Sequence, residues 1–418
     1  MGDRATHRSK ALRLALIALT IATALPAAAQ TPDRSAQNLP SFDAAAQSAS
    51  TPAESPIEWQ YGAFIGVGRL FSSTSPSNHL FRNRGTTPRV DEWDVNMTAA
   101  YLRKVPSESS PAGVELTVQA GRDSEIFGFS ATAPNIGGAD WLRHLGPTNV
   151  SYLAPVGKGL TVQGGIFSSL IGYDGLYAKD NVTYTRPWTG DYTPYFMLGV
   201  NASYPVTSRL TATGFVLNGY WHLAHANVVP SFGGQLACKA TDRVTVKETV
   251  LYGPHQTDTA LRYWRLFSDT IVERKTGAVT AAFEYQIGTE GVAVARPEST
   301  RAEAADPRAL WVAAQAPVKW VVGPWSIIVR PEFVWDRDGR WIGTEQSVKA
   351  FTSTVEYRRP LGQAQAIVKL EYRVDDSRGP GGGFFTEPDV RPGVPGLTPA
   401  QHLFGVGLIV TFDGTVRQ

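Results

Sequence analysis

A single cysteine, Cys238, occurs among 418 residues. No intrachain disulfide and no Cys-based metal cluster can form, which removes the disulfide scaffolds and zinc ribbons. Cys238 falls on the apolar phase of an alternating segment, 232–240, and reads as a small hydrophobe. Long apolar runs are equally scarce. The run at 14–25 spans twelve residues, whereas a spanning helix requires about 20. Nothing after residue 29 approaches that length. An excess of one charge is also missing. The formal charge is +2, and without Asp3, Arg4, Arg8, Lys10 and Arg13 it becomes −1. That balance excludes a basic nucleic-acid surface, so no nucleic-acid partner is expected. HExxH, GxSxG, a P-loop and a Rossmann fingerprint are all absent, so no enzyme and no cofactor is implied.

What the start of the chain does contain is an export pattern. Basic Arg4, Arg8, Lys10 and Arg13 precede the apolar run, and Ala27-Ala28-Ala29 offers a small-residue cleavage site. Residues 1–29 are therefore expected to be a signal peptide. Residues 30–57 are rich in Ala, Ser, Gln, Pro and Asp and hold too little apolar surface to fold, as in a disordered periplasmic linker. No plug domain is read before Trp59. From there the composition shifts to aromatics, Val, Thr and Gly, and 58–418 reads as one domain.

That domain is dominated by a period-2 rhythm. Along 114–122, Val114, Leu116, Val118 and Ala120 alternate with Glu115, Thr117, Gln119 and Gly121. Along 326–337, Ile327, Val329, Phe333 and Trp335 oppose Arg330, Glu332 and Asp336. Along 367–375, Val368, Leu370, Tyr372 and Val374 oppose Lys369, Glu371, Arg373 and Asp375. An exported chain without a membrane helix can span lipid only as a closed barrel, because every backbone polar group must be paired. An unpaired Lys or Arg facing the bilayer midplane costs about 2–4 kcal/mol, so the charged row must face a wet interior. Trp93, Tyr101, Tyr204, Tyr285, Trp335 and Tyr357 lie near strand ends, as interfacial girdles do. Glu248, among valines, and the segment 261–273, charged in both phases, break the pattern.

Connections alternate in length. Short ones fall at 155–159, 205–209, 241–243 and 274–277; long ones at about 72–90, 128–147, 173–192, 288–306 and 375–401. The expectation is an all-β, antiparallel up-and-down transmembrane barrel of about sixteen strands, with short periplasmic turns and long extracellular loops. Such a barrel is wide enough for an aqueous channel.

One stretch carries more than pattern. Within 151–220, YLAPVGKGL, IGYD, a KDN-centred loop, PYFMLGVNASYPV and VLNGY occur in sequence. These resemble the OmpL-like β-barrel porins of Gram-negative bacteria. The resemblance implies an outer-membrane porin passing small hydrophilic solutes or ions, with outer-membrane lipid as its surroundings and a homo-oligomer as one possible state. Ile166 stands where relatives often carry Lys, and DGTVRQ extends beyond Phe412.

The third outer loop, 173–192, is the candidate constriction, with Asp174, Lys179, Asp180, Arg186 and Asp191 set among aromatics; the alternative is a loop packed on the rim. Opposed charges at a narrowing would filter by size and polarity. Candidate lumen-lining residues are Arg330, Glu332, Asp336, Glu356, Arg358, Lys369, Glu371 and Arg373. His222-x-x-His225 lacks further ligands and reads as exposed loop rather than metal site, and Asp336-x-Asp338-Gly339 reads as a turn rather than a calcium loop. Two other readings stay open: a plugged adhesive barrel using long loops such as 379–399, and an outer-membrane enzyme.

Overall fold

The computed structural model describes residues 58–127, 139–224, 227–292 and 308–417. The proposed signal peptide and linker, and His225, lie outside these residues. The strands are β1 Glu58–Ser72, β2 Trp93–Lys104, β3 Ala112–Ala120, β4 Thr148–Ala154, β5 Leu160–Ser168, β6 Phe196–Pro205 and β7 Leu210–Leu217. They continue as β8 Ser231–Thr241, β9 Val244–Pro254, β10 Trp264–Thr276, β11 Val279–Gly291, β12 Arg308–Gln315, β13 Val318–Val322 and β14 Trp325–Asp336. The last are β15 Gln346–Leu361, β16 Ala364–Arg378, β17 Phe384–Arg391, β18 Val394–Thr398 and β19 Ala400–Arg417.

Every neighbouring pair is antiparallel, and β1 pairs with both β2 and β19, which closes the sheet. Strands β12 and β13 are two halves of one stave. Both pair with β11 and with β14, and they are interrupted at Ala316-Pro317. Proline has no N–H to give the ladder, so the stave breaks there. Counted as staves, the barrel has sixteen strands, as the rhythm predicts. Strands β17 and β18 form a separate hairpin within the last long connection.

Burial follows the alternation. Along β14 the even positions Ser326 to Asp336 are buried and Ile327, Val329, Phe333 and Trp335 are exposed. The apolar row therefore lies on the outside and the charged row inside, the reverse of a soluble sandwich. Trp335, Tyr285 and Trp93 lie on the outer face. Tyr101 does not belong to that girdle. It occupies the inward row, where its hydroxyl donates to Asp413 Oδ1 at 2.6 Å. Residues after Phe412 are not a loose tail either: Asp413 to Arg417 continue the ladder against β1, with Glu58 opposite Arg417.

Glu248 lies on the outer face of β9. It accepts hydrogen bonds from Ser268 Oγ at 2.6 Å and from Thr270 Oγ1 on neighbouring β10. A two-phase strand thus resolves into a charged inner row and a small hydroxyl cluster outside.

Candidate functional site

The connection between β5 and β6 turns inward rather than standing on the rim. Its base closes where Ser169 N donates to Tyr195 O at 3.0 Å. Leu170 O then accepts from Gln235 Nε2 at 2.6 Å and Thr249 Oγ1 at 2.8 Å, both on the barrel wall. Gly172, in the left-handed region at φ +92°, bends the chain across the interior. Its N–H reaches Asp269 Oδ2 at 2.8 Å, and the next N–H, of Tyr173, reaches Glu284 Oε1 at 2.9 Å.

From there the loop is held by the charged row of β14 to β16. Glu371 accepts from Tyr184 N at 2.7 Å and Thr185 N at 3.1 Å. Glu332 accepts from Trp188 N at 2.6 Å, and Asp375 accepts from Trp188 Nε1 at 2.9 Å. Arg330 donates to Thr185 O at 3.0 Å and Arg373 to Arg186 O at 3.3 Å. Lys369 Nζ serves three loop carbonyls, Ala178 at 2.9 Å, Thr183 at 3.2 Å and Asn181. Carboxylates catch loop N–H groups and cations catch loop carbonyls, so the backbone needs no partner strand.

All eight candidate lining residues sit on the inward row, and seven of them are buried. Arg358 keeps 24% of its side chain exposed while bonding Glu356 at 2.8 Å. Glu356 also pairs with Lys319 at 3.0 Å and Lys369 at 3.3 Å. Asp336 acts differently from the rest. Its carboxylate accepts the N–H groups of Arg340, Trp341 and Ile342 at 2.7 to 3.0 Å, which builds the Asp-Gly turn read from sequence.

The five loop candidates divide in two. Lys179 and Asp180 pair with each other at 2.8 Å and remain partly exposed. Asp174, Arg186 and Asp191 are buried. Arg186 meets Asp123 Oδ2 at 2.8 Å, and Asp191 meets Arg84 Nε at 2.8 Å. Burial pushes the Asp123 carboxyl up from its usual range, and Arg186 beside it pulls the other way. Burial also raises Asp174, opposed by Arg330 and by the hydrogen bond from Gln315 Nε2 at 2.8 Å.

Sequence reading did not single out Asp123, Arg84, Asp269, Glu284 or Lys319. Arg84 and Asp123 lie in irregular connections where no periodicity marks a direction. The reading of His222 as exposed needs correction: it is buried, and its Nε2 sits 3.0 Å from His255 O between two outer loops.

Over the loop lies an aromatic cover. Trp188 stacks on Tyr192 with centroids 6.3 Å apart, and Arg84 lies 4.8 Å over the Trp188 ring. Phe384 of the β17–β18 hairpin packs 6.5 Å from Trp188. Arg82 ties the first connection to that hairpin through Gly383 O at 2.7 Å.

Comparison with known proteins places this architecture. The family model described as "Putative beta-barrel porin-2, OmpL-like" matches residues 60–412. Among solved structures, OmpF of Salmonella typhi, in complex with daunomycin, is similar at TM-score 0.53 and 10% identity, covering 86% of this chain and 98% of that one. OmpT of Vibrio cholerae, folded in vitro and in its trimer form, gives TM-score 0.50 and 10% identity, with 85% and 100% covered. The outer membrane channel DcaP of Acinetobacter baumannii gives TM-score 0.50 and 8% identity, with 88% and 100% covered. No curated protein matches the sequence.

Proposed function

The chain belongs to the OmpL-like β-barrel porin family of the Gram-negative outer membrane, and from that premise we propose passive diffusion of small hydrophilic solutes or ions past an inward-folded loop. The observation that carries this reading is the attachment of 173–192 to the charged row of β14 to β16, which supports a constriction inside the sixteen-stave barrel. A loop fixed by charge-assisted hydrogen bonds narrows a channel to a set width, and the charges it leaves exposed filter what passes. Asp174, Arg186 and Asp191 fix the loop's shape in this proposal. Lys179, Asp180 and Arg358 meet the solute.

No catalytic step is assigned, and no cofactor. The outward apolar row is taken to contact outer-membrane lipid, residues 1–29 to direct export, and 30–57 to link. Association into a homo-oligomer is part of the proposal. The trimeric form of OmpT supports it, as does the outward polar cluster at Glu248, which lipid would disfavour. The contrary reading, a plugged barrel acting through its outer loops, draws on the β17–β18 hairpin, whose tip carries Val390 at 73% exposure.

Single-channel recording of the refolded protein in a planar bilayer tests the choice. Stable conductance steps support the diffusion channel. Repeated insertion without current removes it in favour of the plugged barrel.

A further inference from the structure

The charged row of β14 to β16 is largely taken up in holding the loop, and the charges at its short-turn end are unequal in sign. Glu332, Glu371 and Asp375 with Arg330 and Arg373 form the upper tier, nearly balanced and covered by Tyr184 to Trp188. Asp174 of the loop is likewise buried, as are Asp269 and Glu284 of the wall, which accept the N–H groups of the loop's first turn. One tier closer to the short-turn rim, three cations share one carboxylate. Lys319 Nζ lies 3.0 Å and Arg358 Nε 2.8 Å from Glu356 Oε1, and Lys369 Nζ lies 3.3 Å from Oε2. Arg358 Nη1 also donates to Gln365 Oε1 at 3.3 Å, and its Nη2 to Lys179 O at 3.4 Å.

Among the described residues these three cations have no other ion-paired carboxylate, so the group carries two positive charges in excess. The neighbouring Lys179–Asp180 pair adds none. This tier keeps contact with solvent through Arg358, whose side chain is 24% exposed beside Lys179 at 14%, whereas Lys319 at 6% and Lys369 at 0% are buried as Arg330 and Arg373 are. Charge in excess and charge that water can reach coincide at one place on the wall.

We propose that Lys319, Arg358 and Lys369, gathered on Glu356 at the inner edge of the loop, form an anion-selecting subsite that favours small anions, inorganic phosphate and carboxylates among them. The inference rests on the pore reading above and adds to it the class of solute. Lys369 contributes its charge while its hydrogens hold the loop. Arg358, the exposed member of the three, acts on the solute through its charge, since its Nε and Nη2 already clasp Glu356 at 2.8 and 3.2 Å, and buried Lys319 adds to the same field.

Reversal potential in a potassium chloride gradient, recorded from the refolded full chain, is the test. The wild type is expected to prefer chloride. Each neutralised cation should lower the chloride-to-potassium permeability ratio by about fourfold, the size expected for a unit charge about 10 Å away through water. Lys319→Gln with Arg358→Gln should abolish or invert the preference, and Glu356→Gln should strengthen it. Lys319→Arg with Arg358→Lys should retain it, which separates charge from fold. Added inorganic phosphate should reduce the wild-type chloride current. Current that prefers potassium, or a current indifferent to phosphate with preference unchanged in the double glutamine variant, overturns the subsite and leaves the pore standing. A silent protein overturns both.

Discussion

Tyr184 lies flat against Gly407: a Cβ on that glycine would overlap the tyrosine ring, and the same is true of Gly68 on the adjoining strand. The two glycines occupy the inward rows of β19 and β1, and together they make a socket in the wall where the loop's most buried tyrosine fits. Asn96 completes it by accepting the Tyr184 hydroxyl hydrogen.

A side chain at that socket should expel the loop. Gly407→Leu is expected to leave the barrel closed while preventing Tyr184 from seating, because the clash is with the loop and not with the sheet. Larger and noisier single-channel steps are the predicted result, with faster cleavage of the loop by protease. Unchanged conductance and cleavage would refute the socket.

The Arg186–Asp123 pair is fully buried, so removing one partner strands a charge. Arg186→Leu should cost about 3–5 kcal/mol of loop attachment, whereas replacing both residues by apolar ones should cost much less. A double-mutant cycle read from thermal unfolding in detergent checks this, and additive losses would contradict it.

Attachment should weaken with rising pH. Asp174 faces Glu332 and Glu284 on the wall, with Arg330, Gln315 and Arg186 as its favourable partners. Its folded pKa is raised chiefly by burial. The contribution is therefore whole below the ordinary carboxylate value of about 4 and is lost as pH climbs through the raised one. Protease access to the loop should increase over that window. Asp174→Asn should flatten the response, and an equally steep profile in the variant would assign it elsewhere.

The outer cluster at Glu248 bears on assembly. If Glu248 with Ser268 and Thr270 meets a second copy, Glu248→Leu should reduce the oligomer seen by analytical ultracentrifugation in detergent. If the cluster faces lipid instead, the same change should raise thermal stability without altering mass.

Residues on strands were readable because position alone fixes their direction. Arg330, Glu332, Lys369, Glu371 and Arg373 each fall on a strand whose alternate neighbours are apolar, so their inward placement follows from period 2. The misplaced aromatic, Tyr101, shows the limit of reading by type: its inward phase was in the sequence, but its proximity to a strand end was given more weight. His222 shows another. In a connection there is no period to consult, and its burial depends on the carbonyl of His255, thirty-three residues away.

By itself the sequence determined the barrel: alternation chose strands, the cost of charge in lipid chose which face turned inward, and uneven connections chose the up-and-down order. Only the tertiary structure decided what occupies the interior. Asp123 meets Arg186, Arg84 meets Asp191 and Gly407 meets Tyr184 across strands and loops far apart in the chain. The physical reason is range. A strand's side-chain direction is set by its own backbone two residues at a time, but a loop has no ladder of its own, and its path is chosen by whichever distant charges and gaps the closed wall presents.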